Sequence, residues 1–433
     1  MRFIAKLGWT VMIATYLITI WLWLAYMGWG ERVGNTTLVL VNIGRISGLL
    51  GMVMFSQSMI LSVRVKWMEK FFGGMDKIYI AHHMIGGVSF ILLLIHPLTL
   101  ALSYLPDIKG AANFLIPEPS NWPVYFGTSS LLFMMAFLVV TFFVKLPYQL
   151  WKQTHKFLGV AFFIGGIHSF FIPSDISNYQ PLYIFMAIIV GMGLICWIYR
   201  TVLGAIMVKK LRYEIIKTEK LNNSVMAVTM KPVGLPLKYK PGQFVYVSFE
   251  DQDVTREYHP FSLVSAPKEE NIRVMVKYLG DFTKSLDKLT EGTGARIEGA
   301  YGQFYKVARP ELPQIWIAGG IGIAPFLGIA KSLDLRANTM VDLYYCAAKE
   351  SDLVSLNEFK MIAESNPNFR IFPFVSEKYG RMDSGLVDKL SGQLENKEIF
   401  LCGPGPMMIG FKKQFVNMGI KPELVHSEEF SFI

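Results

Sequence analysis

Residues 77–102 read KIYIAHHMIGGVSFILLLIHPLTLAL, one long apolar run interrupted by His82, His83 and His96. About 20 largely apolar residues suffice to cross a bilayer as a helix, so this run predicts a membrane span. Fourteen residues separate His82 from His96, about 3.9 turns and roughly 20 Å of rise, so the two share a face near opposite ends of the span. His83 points about 100° away from that face. Ionisable side chains inside a bilayer are costly and usually functional.

A second run, residues 150–172, LWKQTHKFLGVAFFIGGIHSFFI, repeats the pattern with His155 and His168. Thirteen residues are about 3.6 turns, which on an ideal helix would point the pair apart. Gly159, Gly165 and Gly166 offer places for a bulge or kink. Facing each other, the two spans would form two stacked bis-imidazole sites, His82–His155 at the inner end and His96–His168 at the outer end. Such sites suit two b-type haems held without covalent attachment. The three cysteines, Cys196, Cys346 and Cys402, form no CxxC or CxxCH, which removes familiar cysteine-ligated sites. The alternative is that the histidines bond between helices or line a metal or proton path.

Working outward, six spans are expected: 7–29, 38–63, 78–102, 124–144, 150–172 and 182–207, a six-helix transmembrane bundle. Arg45, in GRISG, falls inside the second span toward its outer end. A buried arginine needs an anion, and a propionate of the outer haem is the expected partner; the alternative is an arginine reaching the interface. Arg2, Lys6, Arg64, Lys66, Lys70, Lys77, Lys145, Lys152, Lys156 and Arg200 fall on one side, with only Arg32 and Lys109 in the opposite loops. The positive-inside rule then places both termini in the cytoplasm of a multi-pass cell-membrane protein.

Composition agrees. The 433 residues are 52% hydrophobic and 17% charged, against about 25% charged for an ordinary soluble domain. Residues 1–205 hold 13 Lys+Arg against 6 Asp+Glu, so +7 of the net +9 lies in the apolar half. This location argues for loops beside a lipid bilayer rather than for nucleic acid.

Beyond residue 207 the pattern changes. Short alternating strands (YEIIK, SVMAVTM, QFVYVSF, IRVMVKY, ARIEGAY) predict a small antiparallel barrel over 208–308. From 309 to 433 the order is strand, Gly-rich turn, helix, strand, as in a doubly wound nucleotide-binding domain. Gly319, Gly320, Gly322 and Pro325 follow the strand IWIA and open a helix, where backbone amides can approach a pyrophosphate. Cys402, Gly403 and Pro404 end a later strand.

The segments Arg256-Glu257-Tyr258-His259-Pro260-Phe261-Ser262, Lys277–Thr283 (KYLGDFT) and Gly299-Ala300-Tyr301-Gly302 resemble the ferredoxin–NADP reductase type of flavoprotein module. HPFS and the histidine spacings are similar to those of the NADPH oxidase and ferric reductase superfamily. The resemblance covers essentially the whole chain and most resembles the bacterial NADPH oxidases, without a calcium-binding extension. It implies that His259, Pro260, Phe261 and Ser262 line the isoalloxazine of FAD, with the Ser262 hydroxyl facing the reactive nitrogen. Arg256, Lys277 and the turn of Gly280, Asp281, Phe282 and Thr283 fall in its FAD-binding segments, with Arg256 and the Gly280–Thr283 turn on the pyrophosphate. Gly319–Pro325 with Cys402-Gly403-Pro404 would hold the nicotinamide nucleotide. Phe430, with Phe432 as the alternative, matches the aromatic laid over the flavin. Ordinary core or surface roles stay open for Phe430, His259, Arg256 and Cys402, and His426 reads as a surface residue.

Lys349 and Arg381 are candidates for a 2′-phosphate, which leaves NADPH and NADH both open as donors. The expected activity is electron transfer from NAD(P)H through FAD and two haems b to extracellular oxygen, giving superoxide, with Arg45 beside the nascent anion. The alternatives are a ferric-chelate reductase, a cytochrome subunit serving a separate partner, and a transporter with a nucleotide domain. The chain carries its own flavin and nucleotide motifs, so no obligatory protein partner is expected.

Overall fold

The computed structural model describes residues 2–116, 118–305, 308–309, 311–333 and 339–428. The chain divides into two compact units, Arg2–Gly73 with Lys77–Val208, and Gly74–Asp76 with Lys209–Ile433.

The first unit is helical. Five helices are long and apolar enough to cross a membrane: α1 (Arg2–Tyr26), α2 (Thr36–Leu61), α3 (Met75–Leu102), α4 (Trp122–Phe143), and the last, in which α7 (Gln180–Trp197) runs on through a π turn to Val202. The Asn35 side chain starts α2 by accepting the Leu38 amide at 2.9 Å, which satisfies one of the free amides of a helix end. α2 is the most buried of the five. Its Leu49, Met52, Val53 and Phe55 pack with Phe162 and Met186 in the bundle core.

The expected span 150–172 is not one helix. It is two, α5 (Tyr148–Lys156) and α6 (Leu158–Phe171), with a break at Phe157. The break frees the Lys156 carbonyl, which accepts the Trp197 Nε1–H at 3.1 Å. A Cβ on Gly159 would overlap the same indole. Gly159 therefore gives Trp197 access to the notch, and the turn itself falls two residues earlier. Nor do Gly165 and Gly166 bulge: they bring α6 against Ser130 of α4 and Val190 of α7.

In the second unit an antiparallel sheet has the order β4-β3-β6-β1-β2-β5, from β1 (Leu211–Asn222), β2 (Val225–Pro232), β3 (Phe244–Glu250), β4 (His259–Ser262), β5 (Ile272–Lys277) and β6 (Gly294–Tyr301). A bridge between Leu263 and Val274 joins its two edges and closes a barrel. Alternate residues of these strands point inward, and Ile215, Val228, Val245, Val247 and Val274 fill the barrel. The following sheet is parallel, with order β11-β10-β7-β8-β9: β7 (Gln314–Gly319), β8 (Val341–Ala347), β9 (Phe369–Val375), β10 (Glu398–Cys402) and β11 (Val425–Glu428). Its strands are near-continuous apolar runs because helices cover both faces.

Candidate functional site

In the membrane unit the break at Phe157 brings the four histidines into two facing pairs. The rings of His82 and His155 lie 6.0 Å apart between centroids, and those of His96 and His168 also 6.0 Å. Three of them are oriented by a neighbouring backbone. Nδ1 of His82 lies 2.9 Å from the Ser58 carbonyl, that of His96 2.7 Å from Gly44, and that of His168 2.8 Å from Pro123. A carbonyl can only accept, so these Nδ1 atoms carry the proton and Nε2 keeps its lone pair. Metal-bound histidines are commonly fixed in this way.

Among the described residues no group of three or more His, Cys, Asp and Glu forms a metal cluster. A haem needs only two axial ligands from the protein. A metal–imidazole bond is about 2.0–2.1 Å, so two rings about 6 Å apart have room for one iron between them. Each outer imidazole rests over a glycine: a Cβ on Gly48 would stand 2.7 Å from Nδ1 of His96, and one on Gly127 2.7 Å from Nδ1 of His168. His96 and His168 line a cavity of about 380 Å³ whose other walls are largely Leu, Met and Phe. The residues of the outer pair therefore fit the expected group in spacing and in cavity, and those of the inner pair fit it in ring spacing.

Arg45 lines that cavity, but the anion it meets is a side chain of the protein. Its guanidinium lies 3.0 Å from Oδ1 of Asp175, and it is 39% exposed rather than buried. The buried cation is Arg32, expected in an outer loop and in fact 1% exposed. Arg32 donates to Asp175 Oδ2 at 3.1 Å, to Asn42 at 2.8 Å and to the Trp23 carbonyl at 2.6 Å, with its guanidinium 3.7 Å over the Trp23 ring. The Trp23 Nε1–H also reaches Asp175 Oδ2, at 2.8 Å. Two arginines against one carboxylate leave one positive charge at this end of the cavity. Charge counting along the chain places Arg32 outside because the contacts that bury it come from residues 10 and 143 positions away.

In the barrel, the HPFS and GDFT segments come together. HPFS is β4, paired with β3 so that Ser262 lies opposite Phe244. The His259 ring stacks on Phe282 at 3.8 Å, and His259 Nε2 lies 2.6 Å from the Glu257 carboxylate. Thr283 Oγ1 accepts the amides of Leu279 and Gly280 and so shapes the turn. Arg256, Gly280 and Asp281 are exposed beside these segments, Lys277 is half-buried, and Pro260 follows His259 in the strand. Phe261 is a barrel-core residue.

In the parallel sheet the candidate residues gather at the carboxyl ends of adjacent strands, where such sheets bind nucleotides. Cys402 at the end of β10 is opposite Ala318 of β7, and Gly319 is opposite Cys346 of β8. The two glycine turns touch: a Cβ on Gly322 would fall 2.3 Å from the Cys402 carbonyl, so only glycine permits this approach. Gly320 has φ of +54° and open space where a side chain would be. Pro325 is buried in the helix that follows, α9 by chain order after the turn Asp281–Ser285 as α8, spanning Ile323–Ala330. Pro404 packs on Gly319. Lys349 and Arg381 are both exposed in loops beyond β8 and β9.

Cys402 is fully buried, and burial first, then the Glu428 carboxylate, pushes its thiol well up. Glu428, at 3% exposed, pairs with Cys402 across β10 and β11, and a Cβ on Gly302 would meet its Oε1 at 2.9 Å. No sequence motif singled it out, since one glutamate in EEF carries no spacing signal. His426 is not a surface residue: it bonds Glu398 at 3.2 Å and packs on Phe400. Phe430 and Phe432 lie outside the described residues.

Apolar spanning helices joined to a flavin-type barrel and a parallel nucleotide-binding sheet define a membrane oxidoreductase. Residues 47–166 match the ferric reductase like transmembrane component, 208–308 an FAD-binding domain, and 316–413 the oxidoreductase NAD-binding domain. Together these make the architecture of the NADPH oxidase and ferric reductase superfamily. The chain is 27% identical over 224 residues to the reductase component of propane 2-monooxygenase from Mycolicibacterium goodii, covering 48% of this chain and 63% of that one. It is 27% identical over 233 residues to the electron transfer component of toluate 1,2-dioxygenase from Pseudomonas putida, covering 50% and 66%. The chain thus spans slightly under two thirds of the length of these relatives. A flavohemoglobin from Malassezia yamatoensis shares the fold with a TM-score of 0.52 at 16% identity, over 90% of this chain and 96% of that one.

Proposed function

We propose that the chain is a transmembrane NAD(P)H oxidase, moving electrons from cytosolic NAD(P)H by way of FAD and two b-type haems to oxygen outside the cell membrane. One NAD(P)H and two oxygen molecules give NAD(P)+, one proton and two superoxide ions. The observation that carries this is the pair of facing imidazole sites, each 6.0 Å across, in a chain that also has flavin and nicotinamide domains. When bound, FAD takes a hydride and yields electrons singly, and bis-histidine haem passes one electron at a time.

The chain's own residues have separable roles. His82 and His155 would hold the inner iron, His96 and His168 the outer one. The Ser58, Gly44 and Pro123 carbonyls keep three of these rings in the ligating tautomer. His259, Pro260 and Ser262 address the flavin ring, with Phe261 packed in the barrel core, and Arg256 with the Gly280–Thr283 turn holds its pyrophosphate. Gly319–Pro325 and Cys402–Pro404 hold the nicotinamide nucleotide, with Lys349 and Arg381 nearest a 2′-phosphate. The surplus positive charge of Arg32 and Arg45 over Asp175 favours anions in a largely apolar cavity: a propionate, and the superoxide forming there. Basic residues on one set of loops support cytoplasmic termini.

The match to a ferric reductase like transmembrane component supports a second acceptor, a ferric chelate. Reduction of cytochrome c by the purified chain with NAD(P)H decides. Abolition by superoxide dismutase is the expected result. An unaffected signal, with faster anaerobic reduction of ferric chelates, makes the chain a ferric reductase instead.

A further inference from the structure

Three of the four paired histidines are held by one device, a backbone carbonyl on Nδ1. His155 is not. Its Nδ1 is buried and, among the described residues, has no hydrogen-bond partner. Its ring instead stacks on Trp151, with centroids 5.4 Å apart and planes at 10°. The two are four residues apart on α5 and so share a helix face. Trp151 is itself tied to the neighbouring helix: its Nε1–H donates to the Thr141 carbonyl of α4 at 3.2 Å.

We propose that Trp151 is the positioning residue of His155, its indole face doing for this ring what a carbonyl does for the other three. The proposal rests on the assignment of His82 and His155 as ligands of an inner haem. A hydrogen bond on the second nitrogen fixes both tautomer and ring plane. A parallel stack fixes the plane, and it does so only while the stacking partner is itself fixed. Thr141 supplies that second anchor. Because α5 ends at Lys156, just past His155, the histidine sits in the last turn of a short helix, where backbone hydrogen bonds restrain it least. Without the indole the His155 ring would be free to turn, its hold as a neutral imidazole on an iron bound there would weaken, and an added ligand such as carbon monoxide would displace it more readily. No electron or proton moves in that exchange.

The test uses the purified full-length chain, with haem counted as the pyridine adduct and carbon monoxide binding followed spectrally after dithionite reduction. Fewer than two haems in the wild type would defeat the haem assignment itself, before any variant is made. Given two, Trp151→Ala is expected to let one haem of the two bind carbon monoxide about tenfold faster than wild type, within the range that loss of a ligand's supporting contact produces. The double variant Trp151→Ala/His96→Ala, which lacks an outer ligand, locates the effect: fast binding must persist at the inner haem. Two haems with a wild-type carbon monoxide rate in Trp151→Ala would overturn the proposal. Should that variant not fold, Trp151→Phe, which keeps a ring and loses the Thr141 bond, decides by the same rate: faster binding supports the proposal and a wild-type rate overturns it.

Discussion

The imidazole of His168 rests against Gly127 so closely that a Cβ there would stand 2.7 Å from Nδ1, and four residues earlier the Pro123 carbonyl accepts a hydrogen bond from that Nδ1–H at 2.8 Å. His96 repeats the arrangement with Gly48 and the Gly44 carbonyl. In each case one turn of the neighbouring helix supplies both an acceptor and the space for the ring. Gly127→Ala is therefore expected to displace His168 and lower haem content from two per chain toward one. The missing species should be the outer haem, identified by comparison with His168→Ala. Loss of supporting contacts costs about 10–100-fold in metal affinity, enough to empty the site during purification.

Arg45 provides a second test. Arg45→Ala removes its contact with Asp175 but leaves the Arg32 and Trp23 bonds to that carboxylate. The expected outcome is roughly tenfold slower superoxide production, the worth of one charge-assisted hydrogen bond of about 1.5 kcal/mol, with two haems retained. Haem content and dismutase-sensitive cytochrome c reduction are measured on the same sample. An unchanged rate would assign Arg45 to holding Asp175 alone.

Thiol chemistry should be absent from the nucleotide domain. Burial raises the Cys402 thiol well above its usual range, and burial pushes Cys346 up to about 12. A raised thiol pKa means a neutral, unreactive sulfur across pH 7–9. Iodoacetamide at pH 8 should leave both residues unmodified in the folded chain and label both after unfolding. Mass spectrometry of the two peptides reads the result.

The start of β10 sets an acid limit on stability. Burial would raise the Glu398 carboxyl, but the His426 imidazole, the Arg309 amide at 2.6 Å and the Arg309 guanidinium outweigh it and hold the carboxyl below its usual range. A depressed carboxyl contributes stability that is complete above its unfolded pKa and is lost as pH falls through the folded one. Stability of the wild type should therefore drop below about pH 4, where unfolded glutamates begin to take up protons. Glu398→Ala should lose about 1–2 kcal/mol at pH 7 and show a shallower acid dependence in urea unfolding, because it removes the carboxylate that accepts the Arg309 amide and bonds His426.

Donor choice is the fifth expectation. Lys349 and Arg381 are exposed in the loops beyond β8 and β9. If they meet the 2′-phosphate, Lys349→Ala/Arg381→Ala should lower kcat/KM for NADPH about tenfold and leave that for NADH unchanged. Equal effects on both donors would return the two residues to a general surface role.

Much of this was legible in the chain because the signals are local. Apolar length marks membrane helices, alternation marks barrel strands, and glycine turns after buried strands mark a nucleotide sheet. The pairing of His82 with His155 and of His96 with His168 also followed, because matched depth on two spans is a one-dimensional property. Arg32 and His426 were misplaced for the opposite reason. Each reads as a solvated charge in its own neighbourhood, yet Arg32 is buried by Trp23, Asn42 and Asp175, and His426 by Glu398 and Phe400.

The sequence by itself determined most of the elements and their order, since periodicity and turn chemistry act over a few residues. Only the tertiary structure decided that the helix breaks at Phe157 with Trp197 in the notch, and that Asp175 is the anion meeting Arg45. It alone decided that Trp151 lies on His155 while its three fellow candidate ligands, His82, His96 and His168, meet carbonyls. The physical reason is that a buried polar atom takes its partner from whatever packs against it, and that neighbour is set by the folding of the whole helical unit rather than by nearby residues.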